Sequence, residues 1–186
     1  MILFDQIIFG PVHSRRLGIS LGINLLPVDA KICSFDCLYC ECGFNTTGKH
    51  GKLPTRKEVS DALELRLKEM ANDGQIPDII TFAGNGEPTL HPHFSGIIDD
   101  TLELRDQYCP NAKVGVLSNA TQIHKPNVFN ALKKVDDNIL KFDSAFDHTL
   151  QLLDRPVRKY ISVHWLIEHL KKFESKMIVQ TLFIRG

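Results

Sequence analysis

The sequence of 186 residues has no excess of either charge, because 22 Lys and Arg residues balance 22 Asp and Glu residues. This balance argues against broad attraction to nucleic acid or to membranes, although it leaves room for a local basic patch. No stretch approaches the roughly 20 apolar residues of a membrane-spanning helix. Residues 1–5 also lack the basic region and the long apolar run of a signal peptide. We therefore expect a cytoplasmic protein that does not act on membranes.

Cysteine is scarce, and the five residues present are an odd number, which together with the expected compartment favours thiols or metal ligands over disulfides. Cys33, Cys37 and Cys40 form a C-x3-C-x2-C segment that can turn three sulfurs toward one centre. Three thiolates leave one position of an iron–sulfur cubane without a protein ligand, and open positions are typical of catalytic metal sites. A structural zinc site is the alternative, with Cys42 as fourth ligand, although no distant C-x2-C or H-x3-H pair is present.

Apolar runs typical of strands alternate with helical patterns along most of the chain. The predicted strands are residues 19–25, 78–83, 113–117, 138–142 and 177–184. Thr55 and Glu58 form a capping box, after which apolar residues recur at helical spacing. This alternation predicts one α/β domain over residues 1–186, with about five parallel strands joined by right-handed crossovers. A partial (β/α) barrel and an open doubly wound sheet both fit the pattern.

The last predicted strand, residues 177–184, is followed by only two residues and therefore by no helix. A parallel strand is normally covered on both faces. We therefore expect a barrel whose C-terminal part is missing or truncated.

Polar and glycine residues follow three of the predicted strands. Gly84-Asn85-Gly86-Glu87 follows the second strand, where glycines allow a ligand to approach the backbone and a carboxylate can receive an ammonium group. Ser118 and Asn119 close the third strand, and Asp143 follows the fourth. Strand alternation places Lys141 on the same face as Asp143, toward the barrel interior. Each of these residues taken alone could equally belong to an ordinary turn.

The cysteine segment, with Tyr39 just before its last cysteine, resembles the signature of the radical S-adenosylmethionine (SAM) superfamily. The segment after the second strand is similar to the Gly-Gly-Glu motif of that superfamily, with Asn85 as a departure. The resemblance implies a partial barrel in which the three cysteines hold a 4Fe-4S cluster and SAM binds its fourth iron. It also implies which residues bind SAM. Tyr39 would lie against the adenine, and the SAM amino group would bind the segment Gly84, Asn85, Gly86 and Glu87. The ribose and carboxylate of SAM would contact Ser118, Asn119 and Asp143.

The same resemblance implies an activity. An electron from the cluster would cleave SAM to methionine and a 5′-deoxyadenosyl radical, which takes hydrogen from an unidentified substrate. A low-potential electron donor of flavodoxin or ferredoxin type would supply the electron. Residues 10–18, 21–27 and 153–156 resemble the iron–sulfur oxidoreductase branch related to wyosine tRNA-base synthesis, which makes tRNA a candidate substrate. The alternatives are a non-catalytic zinc-binding protein and a truncated, inactive relative of such enzymes.

Overall fold

The computed structural model describes residues 2–48 and 50–184, whose six strands form one open sheet in the order β1-β2-β3-β4-β5-β6. β1 pairs antiparallel with β2, and every later pair is parallel. The predicted α/β architecture with five parallel strands is therefore confirmed, with a sixth, antiparallel strand added. The strands are β1 (Ile8–Ser14), β2 (Gly18–Ile23), β3 (Ile79–Phe82), β4 (Lys113–Ser118), β5 (Asp137–Lys141) and β6 (Ile178–Gln180).

The antiparallel strand β1 was not predicted, because Pro11 interrupts its apolar pattern. Proline cannot donate to a ladder and is tolerated mainly on edge strands or at bulges. β1 meets both conditions, since it lies at the edge of the sheet and its pairing shifts register between Phe9 and Val12. β1 therefore covers the outer edge of β2 and gives the first parallel strand a partner on each side.

The helices follow the strands as predicted, apart from one short addition. The capping box at α1 is confirmed, since Thr55 Oγ1 accepts from the Glu58 amide (3.2 Å) and the Glu58 carboxylate accepts from the Thr55 amide (2.6 Å). The unpredicted helix α4 buries only Leu150, so its sequence carries too little apolar periodicity to be found. The helices are α1 (Arg56–Asn72), α2 (Phe94–Tyr108), α3 (Pro126–Leu132), α4 (Asp147–Leu153) and α5 (Val163–Leu170).

The two faces of the sheet differ in character. The face beneath the helices carries large apolar side chains that are almost fully buried, such as Ile23, Phe82 and Val116. The parallel register places Thr81 beside Gly22 and Gly115 on the opposite face, where side chains are smaller and more polar. The Phe9 ring covers Gly22 on this second face, whereas the helix-covered face supplies the hydrophobic core.

The carboxyl ends of β2 to β5 lie at one edge of the sheet, because these strands are parallel. The cysteine segment, the Gly84–Glu87 segment, Ser118 and Asp143 therefore lie at the same edge. Ile178 and Val179 of β6 are 47% and 49% exposed, and Arg185 and Gly186 lie outside the described residues. Among the helices described, none has the length and apolar character needed to cross a membrane.

Candidate functional site

The cysteine loop, residues 31–46, leaves β2 and lies across the edge of the sheet. Cys37 is buried, whereas Cys33, Cys40 and Cys42 are partly exposed, and each of these four sulfurs is a free thiol. The loop contains no helix or regular strand, so contacts with segments elsewhere in the chain must determine its conformation.

The Gly84–Glu87 segment holds the loop on one side. The Ile32 amide donates to the Asn85 carbonyl oxygen (3.0 Å), and the Glu87 amide donates to the Ile32 carbonyl oxygen (3.1 Å). Gly86 has a φ of +137°, and a Cβ there would lie 1.9 Å from the Ile32 carbonyl oxygen. Only glycine allows the two backbones to approach so closely.

The motif's departure from Gly-Gly-Glu has a structural explanation. The Asn85 side chain is fully buried, and its Nδ2 donates to the carbonyl oxygens of Phe4 and Pro27, both at 2.9 Å. Its Oδ1 accepts from the Phe4 amide at 2.8 Å. These contacts tie the N-terminal segment and the chain just before the cysteine loop to the end of β3, and they use both polar atoms of the side chain.

Residues 153–157 hold the loop on its other side. The Leu38 amide donates to the Leu153 carbonyl oxygen (2.9 Å), and the Asp36 amide donates to the Asp154 carbonyl oxygen (2.9 Å). An isolated bridge also pairs Phe35 with Pro156. The segment that resembles the wyosine-related branch is therefore packed directly against the cysteines.

Asn45 and Lys31 hold the loop from within. Asn45 Oδ1 accepts from the Cys33 amide at 2.6 Å, and its Nδ2 donates to the Phe35 carbonyl oxygen at 3.2 Å. The Lys31 side chain is 1% exposed, and its ammonium donates to Asp36 (3.2 Å) and to the Gly43 carbonyl oxygen (2.8 Å). A lysine is rarely buried without such partners. The loop is therefore ordered around a buried cation.

Positively polarised N–H groups surround the cysteine sulfurs. Cys33 Sγ accepts from the Phe35 amide (3.5 Å) and from Asn119 Nδ2 (3.4 Å), and Cys37 Sγ accepts from Lys141 Nζ (3.2 Å). Burial raises the pKa of the Cys33 thiol to about 12 and that of Cys37 to about 11, where Lys141 opposes the effect. These N–H donors are suited to stabilising thiolate ligands.

Cys42 is the fourth cysteine of the loop and lies on the side of the Gly84–Glu87 segment. Its thiol donates to the Gly84 carbonyl oxygen at 3.4 Å. Hydrogen bonding to Cys42 lowers the pKa of the Cys40 thiol to about 5, and the Lys31 ammonium acts in the same direction. The Gly84 carbonyl thus faces the cysteines and is a polar group that a ligand bound there would meet.

Glu87 bridges the ends of β3 and β4. Its carboxylate is 2% exposed and accepts from Ser118 Oγ (2.8 Å), the Asn119 amide (2.7 Å) and both the amide and the hydroxyl of Thr89. Burial raises the pKa of Glu87, although these donors favour its ionised form. Glu87 and Ser118 are both predicted SAM contacts. In the structure they hydrogen-bond to each other, and Glu87 also accepts from Asn119 and Thr89.

Asn119 connects this network to the cysteines. Its Nδ2 donates to Ser34 Oγ (2.9 Å) as well as to Cys33 Sγ (3.4 Å), and its Oδ1 accepts from the amide (3.1 Å) and hydroxyl (2.8 Å) of Thr121. The end of β4 is thus joined to the first cysteine by a buried side chain. Asn119 is 7% exposed, so it supports the cysteine loop from the protein interior.

A second polar cluster lies beside Cys37. Lys141 Nζ is 2.9 Å from Asp143 Oδ2 and 2.8 Å from Asp154 Oδ1, and it also contacts the Tyr39 hydroxyl. The Tyr39 hydroxyl donates to Asp143 and lies 3.3 Å from Asp154 Oδ1, and the Lys141 ammonium lies 4.4 Å from the centroid of the Tyr39 ring. The shared face of Lys141 and Asp143 is therefore confirmed. An adenine contact with Tyr39 would have to use the parts of the ring that Lys141 does not cover.

The charges in this cluster depend on one another. Burial opposes the Lys141 ammonium, but the negative groups around it keep its pKa above the usual value. Burial also opposes ionisation of Asp143, yet hydrogen bonds from Tyr39 and Lys141 hold its pKa below the usual range. Asp154 Oδ2 is buried and finds no hydrogen-bond partner in the part of the chain that the structure describes.

The sulfur positions and their donors fit an iron–sulfur cluster. Within residues 2–48 and 50–184, no three His, Cys, Asp or Glu side chains surround a point where a single ion could bind. A cubane binds each cysteine at a different iron, so its sulfur ligands stand apart. Three free thiols on one loop, with N–H groups directed at two of them, are a set of donors that suits such a cluster.

Several residues that the structure places around the cysteine loop carry no sequence pattern that would predict this position. Lys31 lies two residues before Cys33, and its burial could not be read from an isolated lysine. Lys141 was placed on the right face, but its contact with Cys37 joins residues 104 positions apart. The others are Ser34, Thr121 and Asp154, all of which are buried.

Several known proteins that are longer than this chain have a similar sequence. A UPF0026 protein of Helicobacter pylori (strain J99) is 30% identical over 185 residues, which cover 97% of this chain and 57% of that protein. A UPF0026 protein of Methanocaldococcus jannaschii is 31% identical over 183 residues, which cover 96% of this chain and 54% of that protein. The chain thus spans just over half the length of these curated relatives.

Solved structures share the fold. A radical SAM methyltransferase from Sphaerobacter thermophilus gives a TM-score of 0.61 at 13% identity, covering 90% of this chain and 48% of the other. The archaeal TYW1 structure gives a TM-score of 0.50 at 13% identity, covering 90% of this chain and 56% of the other. The sequence profile described as "Radical SAM superfamily" matches residues 28–184, from just before the cysteine loop to the end of the described residues. Because this match covers most of the chain, the protein belongs to the radical SAM superfamily.

Proposed function

We propose that this protein is a radical SAM enzyme whose Cys33, Cys37 and Cys40 hold a 4Fe-4S cluster. The observation that carries the proposal is the cysteine loop itself, which presents three free thiols, two of them with N–H donors, at the carboxyl edge of a parallel sheet. Ligand-binding groups of (β/α) barrels lie at this edge. When reduced, such a cluster supplies one electron to SAM, and the resulting 5′-deoxyadenosyl radical takes hydrogen from a substrate.

The residues around the loop would position the ligands and exclude water. Gly84 and Gly86 keep the backbone close to the loop, and the Gly84 carbonyl oxygen is available to accept from the SAM amino group once Cys42 releases it. Glu87, Ser118 and Asn119 fix the end of β4 against the first cysteine. In this proposal their carboxylate, hydroxyl and amide groups act mainly by fixing backbone positions, a preorganisation that substrate chemistry requires.

Anaerobic reconstitution of the chain with iron and sulfide tests the proposal. We expect a brown protein with about four irons that forms 5′-deoxyadenosine from SAM under a strong reductant, as one cubane requires. Cys37→Ala should lose both properties, because it removes one iron ligand. Cys109→Ala is the matched control, since Cys109 is a buried thiol at the C-terminal end of α2, outside the cysteine loop, and this variant should behave as the unchanged chain. A colourless protein with one bound zinc would contradict the proposal.

The substrate and electron donor are a second part of the proposal. We propose a low-potential flavodoxin or ferredoxin as electron donor, because a reduced 4Fe-4S cluster of this kind needs one. SAM cleavage should be measured with separate tRNA and peptide fractions and with either donor protein. A substrate should accelerate 5′-deoxyadenosine formation and give up the hydrogen atom that this product gains, whereas equal rates with every fraction would argue against both classes. tRNA is included because the N-terminal and 153–156 segments resemble the wyosine-related branch.

A further inference from the structure

A lysine and two aspartates lie against one of the three cysteine sulfurs. Lys141 Nζ is 3.2 Å from Cys37 Sγ, while Asp143 and Asp154 lie 2.9 and 2.8 Å from the same nitrogen. The side chains of the two aspartates are 2% and 1% exposed, and that of Lys141 is 17% exposed. The ammonium thus contacts the sulfur and both buried carboxylates.

The position of Lys141 is well determined by its surroundings. It ends β5, where strand pairing with β6 on one side and β4 on the other fixes its backbone. Its ammonium also contacts the Tyr39 hydroxyl and lies 4.4 Å from that ring's centroid. The two carboxylates, at 2.9 and 2.8 Å from Lys141 Nζ, hold the ammonium beside Cys37, and moving it away would leave two buried carboxylates without their cation.

A charge at this distance acts strongly on electron transfer. Reduction adds one negative charge to a cluster, and hydrogen bonds to its cysteine sulfurs and nearby charges determine its potential. Partial burial reduces screening by solvent, so the effect of one ammonium is larger here than at a surface. Removing that ammonium would also expose the sulfur to two uncompensated carboxylates.

We propose that Lys141 is a positioning residue that donates a hydrogen bond to the Cys37 ligand and raises the reduction potential of the cluster. This inference rests on the proposed function, since it requires a cluster on Cys33, Cys37 and Cys40. Asp143 and Asp154 oppose the lysine and hold it against the sulfur. The Lys141 group thereby determines how strong a reductant the enzyme needs.

A redox titration followed by electron paramagnetic resonance, in the absence of SAM, tests the inference independently of turnover. Lys141→Met should shift the midpoint potential to more negative values, whereas Lys141→Arg should restore it because the charge is kept. Lys113→Met is the matched control, since Lys113 also lies on a strand and pairs with an aspartate (Asp137, 3.1 Å), but at the opposite end of the sheet. The control should keep the original potential.

Asp154→Asn provides a second variant of opposite sign. Removing a carboxylate beside Lys141 should move the potential to more positive values, so this variant decides the matter if Lys141→Met fails to assemble a cluster. Equal potentials for Lys141→Met and Lys113→Met, or an unchanged potential in Asp154→Asn, would overturn the inference while leaving the proposed function intact. Failure of the unchanged chain to form any cluster would instead refute the proposed function and the inference with it.

Discussion

Gly86 lies directly against Ile32, and a Cβ on Gly86 would stand 1.9 Å from the Ile32 carbonyl oxygen. That contact is between two backbones, so no side-chain rotation can relieve it. It places the glycine-rich segment and the cysteine loop in fixed register through two hydrogen bonds of 3.0 and 3.1 Å.

We predict that Gly86→Ala displaces the cysteine loop. The substitution combines a steric overlap with a positive φ of +137°, a strain that costs about 1–3 kcal/mol before the overlap is counted. Iron per chain after reconstitution should fall together with the free energy of unfolding. Gly74→Ala is the control, because Gly74 also has a positive φ but a Cβ there would meet no heavy atom of the described residues within 4 Å. Equal iron loading in the two variants would contradict the prediction.

We predict that Glu87→Gln destabilises the protein by about 1–3 kcal/mol, the cost of leaving a buried hydrogen-bonding group without a partner. The glutamine side chain has one accepting oxygen and one donating NH2 group where the carboxylate has two oxygens. Its NH2 group must therefore face another donor, either the Asn119 amide or the Ser118 hydroxyl. Urea unfolding of the metal-free chain measures the change. Glu103→Gln, on an exposed position of α2, should stay within about 0.5 kcal/mol of the unchanged chain. A neutral Glu87→Gln would show that the network tolerates a donor.

We predict that Asn45→Ala lowers cluster occupancy. The substitution leaves the Cys33 amide and the Phe35 carbonyl oxygen without their side-chain partner, at a cost of about 1–3 kcal/mol if water does not replace it. Iron content and its retention against a chelator are the measurements. Asn111→Ala changes an exposed asparagine outside the loop and should retain full iron content. Unchanged retention in Asn45→Ala would mean that the two flanking segments hold the loop without it.

We predict a pH-dependent contribution from His91. Burial holds the pKa of His91 below its ordinary value, and its Nε2 contacts the Pro54 carbonyl oxygen (2.8 Å) while Nδ1 accepts from the His93 amide (3.2 Å). The unfolded chain therefore binds a proton below about pH 6.5 while the folded chain does not, so stability present above that pH is lost as pH falls.

The free energy of unfolding of the metal-free chain, measured at about pH 7.5 and pH 5.5, tests this prediction on either side of the ordinary histidine pKa. His91→Asn should lose less stability between the two values than the unchanged chain. His164→Asn alters an exposed histidine and should keep the original pH dependence. Identical losses in His91→Asn and the unchanged chain would contradict the assignment.

The parallel strands and main helices could be predicted because their signals are local. The capping box at Thr55 and the stripe of Val59, Leu63, Leu67 and Met70 lie within one element, and all four apolar residues are buried as expected. β1 was missed because Pro11 reads against a strand, and its place at the sheet edge is a property of the whole fold.

The candidate site divides in the same way. The cysteine spacing and the glycine-rich segment are short contiguous patterns, so sequence analysis could find them. The contact of Tyr39 with Asp154 spans 115 positions and that of Lys141 with Cys37 spans 104, and no local pattern reports such pairs. The same holds for the carboxylates of Glu87 and Asp143, whose protein partners became visible only once the strand ends were assembled.

The two segments that hold the cysteine loop are distant from it in the chain. Leu38 bonds to Leu153 and Ile32 bonds to Asn85, so the loop cannot reach its final shape until the segment after β3 and the C-terminal end of α4 have docked. Closing such long separations is entropically costly and comes late in folding. Iron incorporation should therefore report completion of the tertiary structure, and apoprotein caught before that docking would present three cysteines with no fixed spacing to an incoming metal.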